Sequence, residues 1–231
     1  MAVSASSMAK ENVTVSGSTT VLPVMQKNSE HLMQKDPSVV IELSGGGSGN
    51  GIKALNEQLT QIAMSSRKIK DKEMKAAEEK GVKPFEIPVA VDAIVPIVNP
   101  KNSLKNLSLD DLRKIYKGEI KNWKEVGGPD APIVLVSRDT SSGTFETWES
   151  LVMKNQRVSP RALLQSSNGT VVQTVSRNPN AIGYVGLGYV VPIIKAVEIN
   201  GLRQHPRPQK TANGRSHAIF ISTQIISRKG P

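Results

Sequence analysis

Three times along this chain a short β-branched run gives way to a turn of Ser, Thr and Gly and then to an amphipathic helix. The first unit is the alternating strand at residues 12–16, the turn Gly17-Ser18-Thr19-Thr20, and a helix with Leu22, Met25, Leu32 and Met33 on one side. In the second, residues 39–43 read as a buried strand, the Gly-rich residues 44–51 as a loop, and Ile52, Leu55, Leu59 and Ile62 as one helical stripe. The third runs from an apolar strand at 132–136 through residues 137–144 into a helix with Phe145, Trp148, Leu151 and Val152 at helical spacing. A fourth, weaker copy, Ser166-Ser167-Asn168-Gly169-Thr170, opens the run holding Val171, Val172 and Val175. Strands alternating with helices predict an α/β fold built on parallel pairing.

The turns carry the chemistry. A helix N-terminus leaves backbone N–H groups unpaired and is the positive end of the macrodipole, so it stabilises an anion without a lysine. In the third turn Ser142 and Thr144 add hydroxyl donors, Gly143 admits close backbone approach, and Arg138 can present its planar fork to the same anion. The same residues also suit an ordinary helix cap, with Arg138 in a salt bridge. Repetition of the device favours several helix starts converging on one anion beyond the carboxyl ends of the strands. Asp139 is the odd member, because a carboxylate beside a bound anion repels it unless the anion carries a proton to share. That condition favours hydrogen phosphate over sulfate.

Nucleotide and catalytic readings fit less well. There is no Gly-x-x-x-x-Gly-Lys-Ser/Thr string, and no dinucleotide fingerprint in proper form. Ser48 misses the Gly-x-Ser-x-Gly elbow because Asn50 takes the last glycine position. Of three histidines, His31 lies within the first helix and His205 and His217 in the tail, so no general base or metal-ligand spacing is evident.

Five segments in order are Ser16-Gly17-Ser18-Thr19-Thr20-Val21-Leu22-Pro23, Gly45-Gly46-Gly47-Ser48-Gly49-Asn50-Gly51-Ile52, Met64-Ser65-Ser66-Arg67, Arg138-Asp139-Thr140-Ser141-Ser142-Gly143-Thr144 and Ala181-Ile182-Gly183-Tyr184-Val185-Gly186-Leu187-Gly188-Tyr189. Through them the chain resembles the phosphate-binding proteins of bacterial and archaeal ABC phosphate importers, particularly their short subfamily, over residues 12–200. The resemblance implies a periplasmic-binding-protein fold of type II: two α/β lobes, a hinge and a ligand cleft between the lobes. It implies inorganic phosphate held by Thr19, the backbone at Thr20, Ser48, the segment around Ser66, Arg138, Ser142, Gly143 and Thr144, with Ser18 a near neighbour. Many long-form members carry an Asp where Ser66 aligns, and that Asp accepts the phosphate proton. Its absence leaves Asp139 as the expected acceptor. Arg67 is read as an interdomain or surface ion pair rather than an anion contact.

The implied partners are the membrane permease subunits of an ABC phosphate transporter. No cofactor, metal or catalytic residue is expected, and a monomer is. The alternatives are another tetrahedral oxyanion (sulfate, molybdate or tungstate) or a phosphate-ester hydrolase. The expected layout is an N-terminal segment, residues 1–11, outside the fold, a first lobe of 12–91 plus 183–231, and a second of 92–182. The chain would cross between lobes at 89–93 and 181–186.

Composition refines this picture. Eight aromatic residues among 231 imply a largely aliphatic core. No apolar run approaches the ~20 residues of a membrane span. Residues 1–8 have neither a basic start nor a continuous apolar stretch. Since the resemblance implies work outside the cytoplasmic membrane, periplasmic or extracellular, a removed signal is expected. With no cysteine, disulfides, a conventional lipobox and thiol chemistry are excluded from this sequence. Six of the +10 net charges fall in residues 201–231, which contain no acid, so the bulk is only mildly basic, as suits gathering an anion. Nucleic acid is not an expected partner: the tail has one aromatic, Phe220, and acids interrupt the lysines of 68–83. Beyond residue 201 the resemblance fails, since the family's returning strand has no recognisable counterpart.

Overall fold

The computed structural model describes residues 10–201 and 219–228. The order of elements is β1 (Glu11–Gly17), α1 (Leu22–Lys35), β2 (Val39–Gly45), α2 (Ser48–Asn56), β3 (Ile62–Ser65), α3 (Asp71–Glu79), β4 (Pro84–Val98), β5 (Asn106–Leu107), α4 (Leu109–Lys117), β6 (Val134–Arg138), α5 (Gly143–Leu151), β7 (Leu163–Gln165), α6 (Asn168–Arg177), β8 (Ala181–Gly186), β9 (Lys195–Ala196), β10 (Glu198–Ile199) and β11 (Ile219–Arg228). Eight strands run in the order β2-β1-β3-β11-β4-β8-β6-β7, with β9 added to β4 and a separate β5/β10 pair.

The 15-residue strand β4 joins two halves. Its stretch Pro84 to Ile94 pairs antiparallel with β11, while Ile94 to Val98 pairs with β8. On the first side β2, β1 and β3 are parallel. Period-two alternation sends Ala63 of β3 into a cluster with Ile52 and Leu55 of α2, and its neighbour Met64 into another with Val15 and Val21. The second half repeats the device. Ile94 and Val98 of β4 join Leu112, Tyr116 and Trp148, whereas Val95 and Ile97 join Val171 and Val175 of α6. Each half is therefore a sheet covered on both faces.

Several expectations change. The stripe from Ile52 to Ile62 is not one helix: α2 ends at Asn56, Gln58 turns the chain at φ 59°, Leu59 is 71% exposed, and Ile62 opens β3. Leu32, placed on the inner side of α1, is 46% exposed. β2 is an edge strand and only half-buried. The core is largely aliphatic, as expected, but Tyr116, Trp123, Trp148 and Tyr184 gather fully buried in one cluster of the second half, with Trp148 stacked on Tyr184 at 4.0 Å between centroids. Trp123 packs its loop onto that half, donating its indole N–H to Asn180 O at 3.1 Å. Helix α4 is capped at both ends: Ser108 Oγ accepts from Asp111 N at 2.9 Å and Gly118 ends it at φ 79°.

The largest differences concern the chain's return. β8 does not cross back at residue 183; it pairs with β4 and β6, β9 pairs with the second part of β4, and Val197 and Ile199 lie in the second core. The tail, where the resemblance stopped, supplies β11, a ten-residue strand between β3 and β4 that completes the first half. Residues 1–9 and the basic residues Arg203, Arg207, Lys210, Arg215 and Lys229 lie outside the described residues.

Candidate functional site

The Ser, Thr and Gly turns sit at the carboxyl ends of β1, β2, β3 and β6, where ligands bind in open α/β sheets. Crowding fixes their glycines. At Gly17, φ 133°, an added Cβ would lie 2.2 Å from Met64 O, so β1 can end against β3 only without a side chain. Gly17 O accepts from Gly46 N at 2.8 Å and Gly47 N at 3.0 Å, tying the second turn to the first. Ser48 then starts α2, and its Oγ accepts from Ser66 N at 3.1 Å with Ser66 Oγ 3.3 Å away. Ser18 Oγ accepts from Thr20 N at 3.2 Å.

From the second half, β6 delivers Arg138. Its Nε donates to Gln165 O at 3.1 Å and its Nη2 to Ser166 O at 3.0 Å, while Nη1 is buried without a partner. The residue is 1% exposed, and no carboxylate among the described residues forms an ion pair with it. Burial accordingly pulls its pKa below the ordinary guanidinium value, with the charge of neighbouring Asp139 acting the other way. Ser142 caps α5, accepting from Phe145 N at 3.2 Å, which leaves its own hydroxyl proton to donate. The cap reading of this turn therefore holds at Ser142, but Arg138 is not in the salt bridge that the simple capping reading requires.

The two sets meet. Thr20 Oγ1 and Thr144 Oγ1 are 2.8 Å apart. Gly143 stands so close to the first half that a Cβ there would lie 2.4 Å from Ser48 Oγ and 2.6 Å from Ser66 Oγ. Gly49 N donates to Ser141 O at 2.9 Å. Around these contacts Glu146, in the first turn of α5, pairs with Arg67 Nε at 3.0 Å and Lys70 Nζ at 2.6 Å. Burial opposes the charge of Arg67, but Glu73 and Glu146 outweigh it and raise its pKa.

Ser18, Thr19, Thr20, Ser48, Ser66, Arg138, Ser142, Gly143 and Thr144 are all buried in this region. Asp139 differs: it is half-buried, and its Oδ1 accepts from both the N–H (2.8 Å) and the hydroxyl (2.5 Å) of Ser141. That oxygen shapes the turn.

Comparison with known proteins follows the same architecture. A family model described as a PBP superfamily domain matches residues 2–212. The phosphate-binding protein PstS of Borreliella burgdorferi is 32% identical over 93% of this chain and 78% of its own length. The chain belongs to this phosphate-binding family of the PBP superfamily. PstS of Bacillus subtilis is 33% identical, with 89% of this chain and 67% of that protein covered. A solved structure described as a phosphate ABC transporter substrate-binding protein with bound phosphate, from Clostridium perfringens, superposes with a TM-score of 0.85. It is 34% identical and covers 95% of this chain and 87% of its own. An ABC-type phosphate transport receptor from Vibrio cholerae gives 0.68 at 32% identity, over 93% and 86%.

Three residues of this PBP family member support the site without having been singled out as site residues. Asn168 contacts both Thr19 and Thr20. Tyr189 donates its hydroxyl to Thr19 O. Tyr184, its phenol pushed up to about 12 by burial, bonds Ser137 Oγ at 2.9 Å and accepts from Arg138 N at 3.2 Å. Asn168 lies in the weak fourth turn and both tyrosines in the segment 181–189, so the motif residues were visible and only their partners were not.

Proposed function

We propose that this protein captures one inorganic phosphate between two lobes and delivers it to the membrane subunits of an ABC importer. The observation that carries the reading is Arg138: a guanidinium 1% exposed, without a carboxylate partner among the described residues, with Nη1 unpartnered there. A buried ion left so costs several kcal/mol unless a counter-ion arrives. The anion would take Nη1 of Arg138, the hydroxyls of Thr19, Thr20, Ser48, Ser66, Ser142 and Thr144, and the backbone at Thr20 and Gly143, with Ser18 bracing the first turn. The free oxygen of Asp139 would accept the proton of hydrogen phosphate. Following the strand pairing, the first lobe comprises 11–91 with 219–228, and the second 94–200.

The reading places the protein outside the cytoplasmic membrane, as a monomer that binds without turnover. Calorimetric titration tests it. Phosphate should bind one per chain and sulfate at least tenfold more weakly, and Asp139→Asn should narrow that gap. Equal affinity for sulfate would favour a general oxyanion binder, and release of phosphate from an activated ester would favour a hydrolase.

A further inference from the structure

Asn168 is fully buried at the first position of α6, and its side-chain amide and backbone N–H are engaged on other parts of the chain. Its Nδ2 donates to Thr19 Oγ1 at 2.9 Å and to Thr20 Oγ1 at 3.1 Å. Its backbone N–H also reaches Thr19 Oγ1, at 3.3 Å. Its Oδ1 accepts from Gly186 N at 3.2 Å. A backbone N–H can only donate, so the atom facing Gly186 must be the oxygen, and the amide cannot turn over.

The consequence lies in the direction of the hydroxyl protons. A threonine hydroxyl has two acceptor positions and one proton. At Thr19 Oγ1 both acceptor positions are filled by Asn168, so the single proton has to point away from Asn168. At Thr20 Oγ1 one acceptor position is filled in the same way, and the remaining partner is Thr144 Oγ1.

We infer that Asn168 is a positioning residue that fixes Thr19 as a hydrogen-bond donor toward the bound anion and holds Thr20 beside it through one acceptor position, and so helps determine the site's affinity for phosphate. It acts through the threonines. The inference rests on the phosphate reading above.

The test is a double-mutant cycle by calorimetry with inorganic phosphate on the full chain: parent, Asn168→Ala, Thr19→Val, and both together. Asn168→Ala should weaken binding about tenfold in the parent and about threefold or less in the Thr19→Val background, where only the contact to Thr20 remains. Asn168→Asp keeps the shape and the acceptor for Gly186 N but replaces both donors with an acceptor, so it should bind more weakly than Asn168→Ala. It also serves if the alanine variant does not fold. Affinity within twofold of the parent for either variant, or the same factor for Asn168→Ala in both backgrounds, would overturn the inference. Failure of the parent itself to bind phosphate would instead overturn the phosphate reading.

Discussion

Replacing Arg138 by Met should separate the stability of the ligand-free protein from its affinity for phosphate. The guanidinium is 1% exposed and unpaired, so its burial costs several kcal/mol in the absence of an anion. It recovers about 3–6 kcal/mol through its two bonds to Gln165 O and Ser166 O, taken at about 1.5–3 each for a charged donor. Met removes the penalty and the recovery together, so the unfolding free energy of the ligand-free variant should stay within about 2 kcal/mol of the parent. Phosphate binding loses a buried charge and the Nη1 donor, worth about 2–5 kcal/mol for a hydrogen-bonded charge pair, or about 30-fold to several thousand-fold in affinity. Urea denaturation of protein freed of phosphate by unfolding and dialysis gives the first quantity, and calorimetry the second. A variant that keeps its affinity while losing more than about 3 kcal/mol of stability would make Arg138 a structural residue and not an anion ligand.

Gly143→Ala places a methyl about where Ser48 Oγ and Ser66 Oγ approach, yet Gly143 begins α5, where Ala is the better helix former by up to about 1 kcal/mol. Binding should fall at least 100-fold while the ligand-free melting temperature holds or rises; a lower melting temperature with intact binding would contradict the close packing of the two halves. Glu146→Gln removes ion pairs that link the second half to Arg67 and Lys70 of the first. It should weaken phosphate about two- to fivefold at low salt, as expected of partly exposed pairs worth up to about 1 kcal/mol, with the difference shrinking as salt rises; a salt-independent effect would argue against it. For Tyr184, burial raises the folded phenol from 10.0 to about 12, so the folded state retains a proton that the unfolded chain has lost. Stability should thus fall as pH rises through this window, and Tyr184→Phe should flatten the decline; an unchanged slope would show that other groups carry it.

Most of the fold's local logic was legible because it depends on short-range signals. Ser108 and Gly118 bound α4 through cap chemistry that any Ser followed by a helical run can use. The turns carrying Ser48 and Arg138 were found from apolar runs broken by Ser and Gly, whereas the strand before Ser66 was missed because Ile62 was read into a helix. What failed depended on distant partners. Leu59 fits a helical stripe by spacing, but α2 ends three residues earlier, so its side chain faces solvent. The segment Ala181–Gly186 looked like a crossing because a return was needed somewhere, whereas the strand that completes the first half is β11. Its run Ile219-Phe220-Ile221-Ser222-Thr223 is rich in β-branched and aromatic residues, a strand signal that the missing family string caused to be overlooked. Asn168 was visible as a turn residue, but its role depends on Thr19 and Gly186, 149 and 18 residues away in sequence.

The most direct test is a crystal structure of the protein grown with phosphate. It should show a single tetrahedral anion within hydrogen-bond distance of Arg138 Nη1, Ser48, Ser66, Ser142 and the Thr19–Thr20 turn, with the two halves closed around it. Phosphate bound elsewhere, or this ring of donors closed and empty at saturating phosphate, would contradict the phosphate reading.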